Sequence, residues 1–319
     1  MMNNKIPIAT IGLGLMGSSI ATCLLAAGHE VLTLVRDLEK GKQAKAKIIK
    51  FLEQLKEEKM MDDDPLKVIE RMVVTDNLGL LGGHEIVIES IHENIDDKRR
   101  LFHQLEQVLS STAIIGSNTS AIPVTILQNG LKNPERVLGI HWGEPAHVTK
   151  FMEVICGNQT LLKYGEKIMK LAETWGKEPS LVKKDIRGFI TNRLMYALLR
   201  EGFHLVKNGY ADYADIDRAC RNDLGSWITF AGPFRYMDLT GIPAYLTVMQ
   251  DLFPELDNSP EPPDFMGELV ASGATGTSNA HGFYPYTEQS AEKWEKLFVD
   301  FTYDIRKLSE QYSRKVKDL

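Results

Sequence analysis

The stretch IPIATIGLGLMGSSIATCLLAAG, residues 6–28, decides the fold. A short run of β-forming apolar residues gives way to Gly12-Leu13-Gly14-Leu15-Met16-Gly17 and then to a helical pattern. Each glycine in this spacing has its own physical task. Gly12 permits a tight turn, Gly14 lets the backbone approach a pyrophosphate, and Gly17 lets the helix pack closely, with the helix N-terminus facing the phosphates. The competing reading is a plain glycine-rich turn. The strand–turn–helix context favours a dinucleotide site contacted by Gly12, Gly14, Leu15, Met16 and Gly17.

Outward from this unit, residues 5–183 alternate short β-branched runs with longer amphipathic segments. The runs read IPIATI, EVLTLV, RMVVT, EIVIESI, AIIGS, VLGIHW, FMEVI and SLVK. Strands apolar on both faces, separated by helical segments, predict an α/β domain of Rossmann type with a mostly parallel sheet covered by helices. Residues 38–71 depart from the rhythm and read as a helical hairpin insertion, two charged helices broken near Asp62-Asp63-Asp64-Pro65. After Asp185 the strand signals stop. A helix ends at Asn208-Gly209, another begins near Asp212 with Asp215 three residues on, and a third comes after Gly232-Pro233. A proline-rich loop over residues 254–263 precedes a last helix from about Ser290. The expected organisation is a dinucleotide-binding domain over 1–185 and an all-α domain over 186–319.

Composition narrows the class further. The chain has 319 residues, 43% hydrophobic and 25% charged, with a net charge of −6. This is a globular balance, and without a basic run it argues against a nucleic-acid binder. Cys23, Cys156 and Cys220 are odd in number and widely spaced, which argues against a disulfide framework or a zinc knuckle. No apolar run approaches a membrane span, and strand pattern begins almost at once, so the expectation is a cytoplasmic protein without metal, membrane or nucleic-acid partners.

The second strand ends in Val35-Arg36-Asp37, with Asp37 twenty residues after Gly17. An acid here bonds ribose hydroxyls, whereas an arginine meets a 2′-phosphate. NAD is the expected cofactor, with NADP kept open by Arg36; both charges as solvated loop residues is the bland alternative. Further along, Ser117-Asn118-Thr119-Ser120 lies at the end of one strand and Gly139-Ile140-His141-Trp142 ends the next. Glu153 sits within FMEVI, and a carboxylate in an apolar strand needs a partner. His141 is the obvious one, giving a base steadied by an acid, as general acid–base chemistry requires.

With these residues in hand, the chain resembles the 3-hydroxyacyl-CoA dehydrogenase family. GLGLMG, ESIHEN, SNTS, GIHW…P, MEVI, GFITNR, GPFRYMDLTG and GFYPY occur in family order over nearly the whole length. The resemblance implies that His141 and Glu153 deprotonate the 3-hydroxyl of a (S)-3-hydroxyacyl-CoA, short-chain such as 3-hydroxybutyryl-CoA, while NAD takes the hydride. It assigns Ser120 and Asn192 to the substrate oxygen and acyl chain, with Asn192 reaching across an interdomain cleft. Glu93, Lys98 and Asn118 fall to the cofactor. It further implies a homodimer through the helical domain and a role in fatty acid metabolism. The same pattern admits a dehydrogenase of free hydroxy acids, like lambda-crystallin and gulonate dehydrogenase, or a non-catalytic dinucleotide-binding protein.

Each assignment has a structural alternative. Ser120 could cap the turn after it, Glu93 and Lys98 could be a surface ion pair, and Trp227, Phe230, Phe234 and Tyr236 read more readily as core than as interface. Lys40, Lys42, Lys45, Lys47 and Lys50 suit CoA phosphates or simply a solvated helix face. Three positions depart from the family pattern: Glu144 stands where Asn is usual, Val35 replaces the acid after strand two, and Ser278 occupies the position of a lysine that reaches the cofactor.

Overall fold

The computed structural model describes residues 6–317. The first half runs β1 (Ile8–Ile11), α1 (Leu15–Ala26), β2 (Val31–Leu34), α2 (Leu38–Glu57), α3 (Pro65–Ile69), β3 (Met72–Thr75), β4 (Ile86–Glu89) and α4 (Ile95–Val108). It continues with β5 (Ile114–Ser117), α5 (Val124–Gln128), β6 (Val137–Trp142), β7 (Phe151–Cys156), α6 (Leu162–Thr174) and β8 (Glu178–Val182). All eight strand runs form strands, and they make one sheet in the order β3-β2-β1-β4-β5-β6-β7-β8. Every neighbouring pair is parallel except β6 and β7. Strands β1, β4 and β5 are buried along their whole length, as their apolar character on both faces requires. The strand order reverses at β1, which pairs with β2 on one side and β4 on the other. Open α/β sheets bind ligands at the carboxyl ends of the strands beside such a reversal.

Local chemistry sets the element ends. Asp37 caps α2, its Oδ1 accepting from the Glu39 and Lys40 amides at 3.0 and 3.1 Å. Asp64 does the same for α3, with Pro65 in the first turn. The insertion breaks earlier than its Asp-Asp-Asp-Pro signal suggests. Lys59 takes a left-handed conformation (φ 59°), and the Met60 amide closes back on the Leu55 carbonyl at 2.8 Å, so α2 stops at Glu57. Its partner, α3, is a short helix of 5 residues.

The remaining helices are α7 (Thr191–Lys207), α8 (Tyr213–Ala219), α9 (Gly225–Thr240), α10 (Ile242–Leu252), α11 (Asp264–Ala271) and α12 (Glu288–Lys317). By packing, the chain divides into two units between Asn192 and Arg193. In the second unit α7 ends where Gly209 adopts φ 72°, and Asp212 caps α8 through the Asp215 amide at 2.9 Å. The Gly232-Pro233 signal marks a kink inside α9, with Gly232 at φ 71°, so helix lies on both sides of it rather than only after it.

One expectation fails in this unit. The aromatics of α9 are not core: Phe230 is 57% and Phe234 78% exposed, while Trp227 and Tyr236 stack on each other at 4.4 Å. From residue 193 to 312 only Ala291 and Tyr303 are buried. Helical spacing gives apolar faces, but it does not say what covers them. Among the described residues no helix is long and apolar enough to cross a membrane, and the three cysteines are free.

Candidate active site and dinucleotide groove

The antiparallel register of β6 and β7 sets His141 directly opposite Glu153, so both side chains leave the same face of the sheet. His141 Nδ1 lies 2.9 Å from Glu153 Oε2. The other carboxylate oxygen, Oε1, accepts from the backbone amides of Ile190 and Thr191, both at 3.0 Å, and from the Thr191 hydroxyl at 3.4 Å. Burial by itself would push the Glu153 carboxyl up. The bonds from His141 and the two amides outweigh it and hold the group below the ordinary Glu value. An ionised carboxylate only accepts, so the ring carries a proton on Nδ1, and Nε2 is the nitrogen whose lone pair the neutral ring offers. Nε2 has no partner among the described residues.

The two amides are delivered by a turn that sequence reasoning does not anticipate. Gly188 and Phe189 both have positive φ, 83° and 52°. A bulky residue in that region is strained, at a cost of about 1–3 kcal/mol, and such strain collects at functional sites. Phe189 is fully buried, and its ring lies 5.8 Å from that of His141, with Phe151 edge-on at 5.3 Å. The only hint in the sequence is the Gly-aromatic pair in GFITNR.

Asn192 stands in the first turn of α7 rather than deep inside a helix, and its Nδ2 donates to the Ser120 carbonyl at 2.9 Å. Packing places it in the first unit with Ser120, not across a boundary from it. Ser120 is not the cap of its turn. Thr119 is, accepting from the amides of Ala121 and Ile122 at 3.4 and 2.9 Å. The Ser120 hydroxyl has no partner among the described residues. Asn118 ties β5 to β6, its Oδ1 accepting from the Trp142 amide at 3.0 Å.

Glu93 and Lys98 are not a surface pair. Lys98 is fully buried and bridges Glu93 Oε2 at 3.2 Å and both oxygens of Glu89 at 2.7 and 2.9 Å. Glu89 is also fully buried and accepts from the Ser117 hydroxyl and the Ile91 amide, each at 2.6 Å. Glu93 in turn accepts from the Thr119 hydroxyl and from the Ser120 amide at 3.1 Å. Its carboxyl is pushed up by burial but brought down further by Thr119 and the Lys98 charge, ending below its ordinary value. A chain of bonds thus runs from Ile91 through Glu89, Lys98 and Glu93 to Ser120. Glu89 was legible on the same ground as Glu153, a carboxylate closing an apolar strand.

At the carboxyl ends of β1 and β2 a groove of about 1100 Å³ is lined by Gly12, Gly14, Val35, Arg36, Ile91 and Arg100, among others. Pockets for drug-sized ligands span roughly 300–1,000 Å³. The glycines test whether a dinucleotide fits. A Cβ on Gly17 would fall 2.2 Å from the Gly12 carbonyl oxygen, and one on Gly12 would fall 2.8 Å from that of Ser90. These two close the turn itself. A Cβ on Gly14 would meet nothing within 4 Å, so this glycine borders open groove where a pyrophosphate backbone contact is needed. Leu15, half exposed, and Met16 stand at the start of α1. The residues present fit the group.

Residues 7–186 match the model of the 3-hydroxyacyl-CoA dehydrogenase NAD binding domain, and residues 188–286 that of the same enzymes' C-terminal domain. The chain belongs to the 3-hydroxyacyl-CoA dehydrogenase family. NAD is its cofactor, and it is an oxidoreductase of the kind that acts on CH–OH groups. It is 31% identical over 296 residues to the 5-formyl-3-hydroxy-2-methylpyridine 4-carboxylate 5-dehydrogenase of Mesorhizobium japonicum, covering 91% of this chain and 95% of that one. It is also 31% identical over 291 residues to the mitochondrial hydroxyacyl-coenzyme A dehydrogenase of Homo sapiens, covering 88% and 90%. A crystal structure of the pyridine-carboxylate dehydrogenase, described as an NAD+ dependent dismutase, superposes with a TM-score of 0.87 at 29% identity over 95% of this chain and 98% of that one.

The positions that depart from this family each have a place. Glu144 is exposed on the segment after β6 and bonds no described residue. Ser278 is held in a local turn by Thr275. On α2, Lys42 pairs with Glu39 at 2.6 Å and Lys45 donates to the Met72 carbonyl at 2.8 Å, while Lys40, Lys47 and Lys50 are exposed.

Proposed function

We propose that this chain oxidises the 3-hydroxyl of a short-chain (S)-3-hydroxyacyl-CoA, with His141 as general base. The observation that carries the reading is the His141–Glu153 pair at 2.9 Å with Nε2 left unpartnered. When bound, NAD supplies the hydride acceptor. His141 takes the hydroxyl proton on Nε2, and the charge that forms on the ring faces the ionised Glu153. General-base help of this kind contributes about 10²–10⁴ in rate. The Ser120 hydroxyl is free to donate to the substrate oxygen as it becomes a carbonyl, and Asn192 fixes the Ser120 backbone. Gly12, Gly14, Leu15, Met16 and Gly17 are assigned to the pyrophosphate end, and Glu93, Lys98 and Asn118 to the cofactor as well, the first two supported by the bond network that joins them to Glu89. We assign cofactor binding and the His141, Glu153 and Ser120 chemistry to residues 1–185, and dimer formation to 186–319.

A second reading has its own support. The TM-score of 0.87 to a dehydrogenase named for a free pyridine carboxylate, together with three of five α2 lysines already in polar contacts, favours a free carboxylated substrate. Initial rates with 3-hydroxybutyryl-CoA and with free hydroxy acids, each with NAD, separate the two. Turnover of the thioester with no turnover of the acids supports the first reading; the reverse replaces it with the second. If NADH binds and neither class reacts, the protein is a dinucleotide-binding protein without this chemistry.

The second unit supports a homodimer. It leaves Leu194, Phe234, Leu239, Phe298 and Phe301 each at least 60% exposed with almost nothing buried among its described residues, and a unit that size with so little core needs a partner surface. Light scattering after size exclusion should give twice the 35.9 kDa chain mass. Free cysteines fit a reducing compartment, so we place the protein in the cytoplasm.

A further inference from the structure

We infer that the dinucleotide groove accepts a cofactor phosphorylated on the adenosine 2′-hydroxyl as well as NAD, with Arg36 as the phosphate-binding side chain. The inference rests on the groove being the dinucleotide site. At the tip of the second strand of such a sheet, a carboxylate that accepts from the ribose hydroxyls also repels a 2′-phosphate. Here that position is Val35, and its side chain is committed to packing. A Cβ on Gly41 would fall 3.0 Å from Val35 Cγ2, so the valine lies tight beneath α2. Nothing at this position rejects a phosphate.

Arg36, the next residue, lines the groove, is exposed, and makes no hydrogen bond or ion pair with any described residue. A guanidinium offers a planar fork of donors matched to phosphate oxygens. The nearest carboxylate in sequence, Asp37, is turned to other work. Its Oδ1 caps two α2 amides, and its Oδ2 lies 4.0 Å from Lys40 Nζ, which lines the same groove. Asp76 also lines the groove. With Arg100 and Asp97 also on the lining, the positive charges of Arg36, Lys40 and Arg100 stand against three carboxylates and are not in surplus. That balance points to acceptance of both cofactor forms rather than to exclusive use of the phosphorylated one.

Fluorescence titration of the full chain with NADH and with NADPH tests this without any substrate. The wild-type dissociation constants should lie within about tenfold of each other. Arg36→Ala should raise the NADPH/NADH ratio of dissociation constants about tenfold or more, the usual worth of a charge-assisted hydrogen bond, and Arg36→Lys should restore part of it. Added salt should weaken NADPH more steeply than NADH. The inference is overturned if wild-type protein binds NADH while NADPH is at least a hundredfold weaker, or if Arg36→Ala shifts both equally. Failure of both nucleotides to bind overturns it together with the groove assignment.

Discussion

Replacing Glu153 by Gln probes the proposed mechanism with little change in shape. Glu153 Oε1 accepts two backbone amides at 3.0 Å, and Oε2 faces His141 Nδ1 at 2.9 Å. A glutamine has one oxygen and one NH₂ for these two sides. Turning the NH₂ toward Ile190 and Thr191 would leave two buried amides without an acceptor, at about 1–3 kcal/mol each. The oxygen therefore stays with the amides and the NH₂ points at Nδ1. Two donors cannot meet, so the imidazole shifts its proton to Nε2, the nitrogen that must act as base. A tautomer error of this kind in a comparable triad costs about 10⁴ in kcat, or about 5 kcal/mol of barrier. The assay is NADH formation with the best substrate found, alongside NADH affinity and the urea midpoint. A rate within tenfold of wild type, with unchanged midpoint, would refute the reasoning and return His141 and Glu153 to a structural role.

The same structure sets four further outcomes. The Glu153 carboxyl is held below its ordinary value, so the unfolded chain binds this proton more readily than the folded one. Its contribution to stability should be full above the ordinary Glu value, about 4.3, and lost as pH falls through the lower folded value; urea melts across this range should show a flatter acid limb in Glu153→Gln. Lys98→Met leaves the buried Glu89 carboxylate without its counter-ion and should cost about 3–5 kcal/mol, with much of that recovered when Glu89→Leu is added; additive losses in denaturation would show that the pair acts independently. Gly17→Ala should destabilise by about 1–3 kcal/mol, because its methyl meets the Gly12 carbonyl oxygen at 2.2 Å. Gly14→Val, facing open groove, should fold normally yet lose NADH binding in a fluorescence titration.

The readable parts of this protein are those set by neighbours in sequence. The glycine spacing at 12, 14 and 17, the caps at Asp64 and Asp212, the stop at Gly209 and the eight apolar strand runs all arise from interactions spanning a few residues. Glu153 stood out because a carboxylate in an apolar strand has few explanations, and Glu89 carried the same mark. The parts that misled are those where local pattern is silent about what lies opposite. Phe230 and Phe234 have the spacing of a buried face and are exposed; Glu93 and Lys98 have the spacing of a surface pair, yet Lys98 is fully buried.

By itself, then, the order of residues determined the sheet, the nucleotide-binding turn and which side chains had chemistry to offer, because backbone preference and hydrophobic period act over short range. Only the folded chain decided how they meet. The β6–β7 register brought His141 to Glu153, the strained turn at Gly188 and Phe189 aimed two amides at the far carboxylate oxygen, and Lys98 found Glu89. The two amides reach Glu153 from 37 and 38 residues away, while the other two pairs lie 12 and 9 residues apart on successive elements; their free energy comes from burial and pairing that the local pattern does not contain.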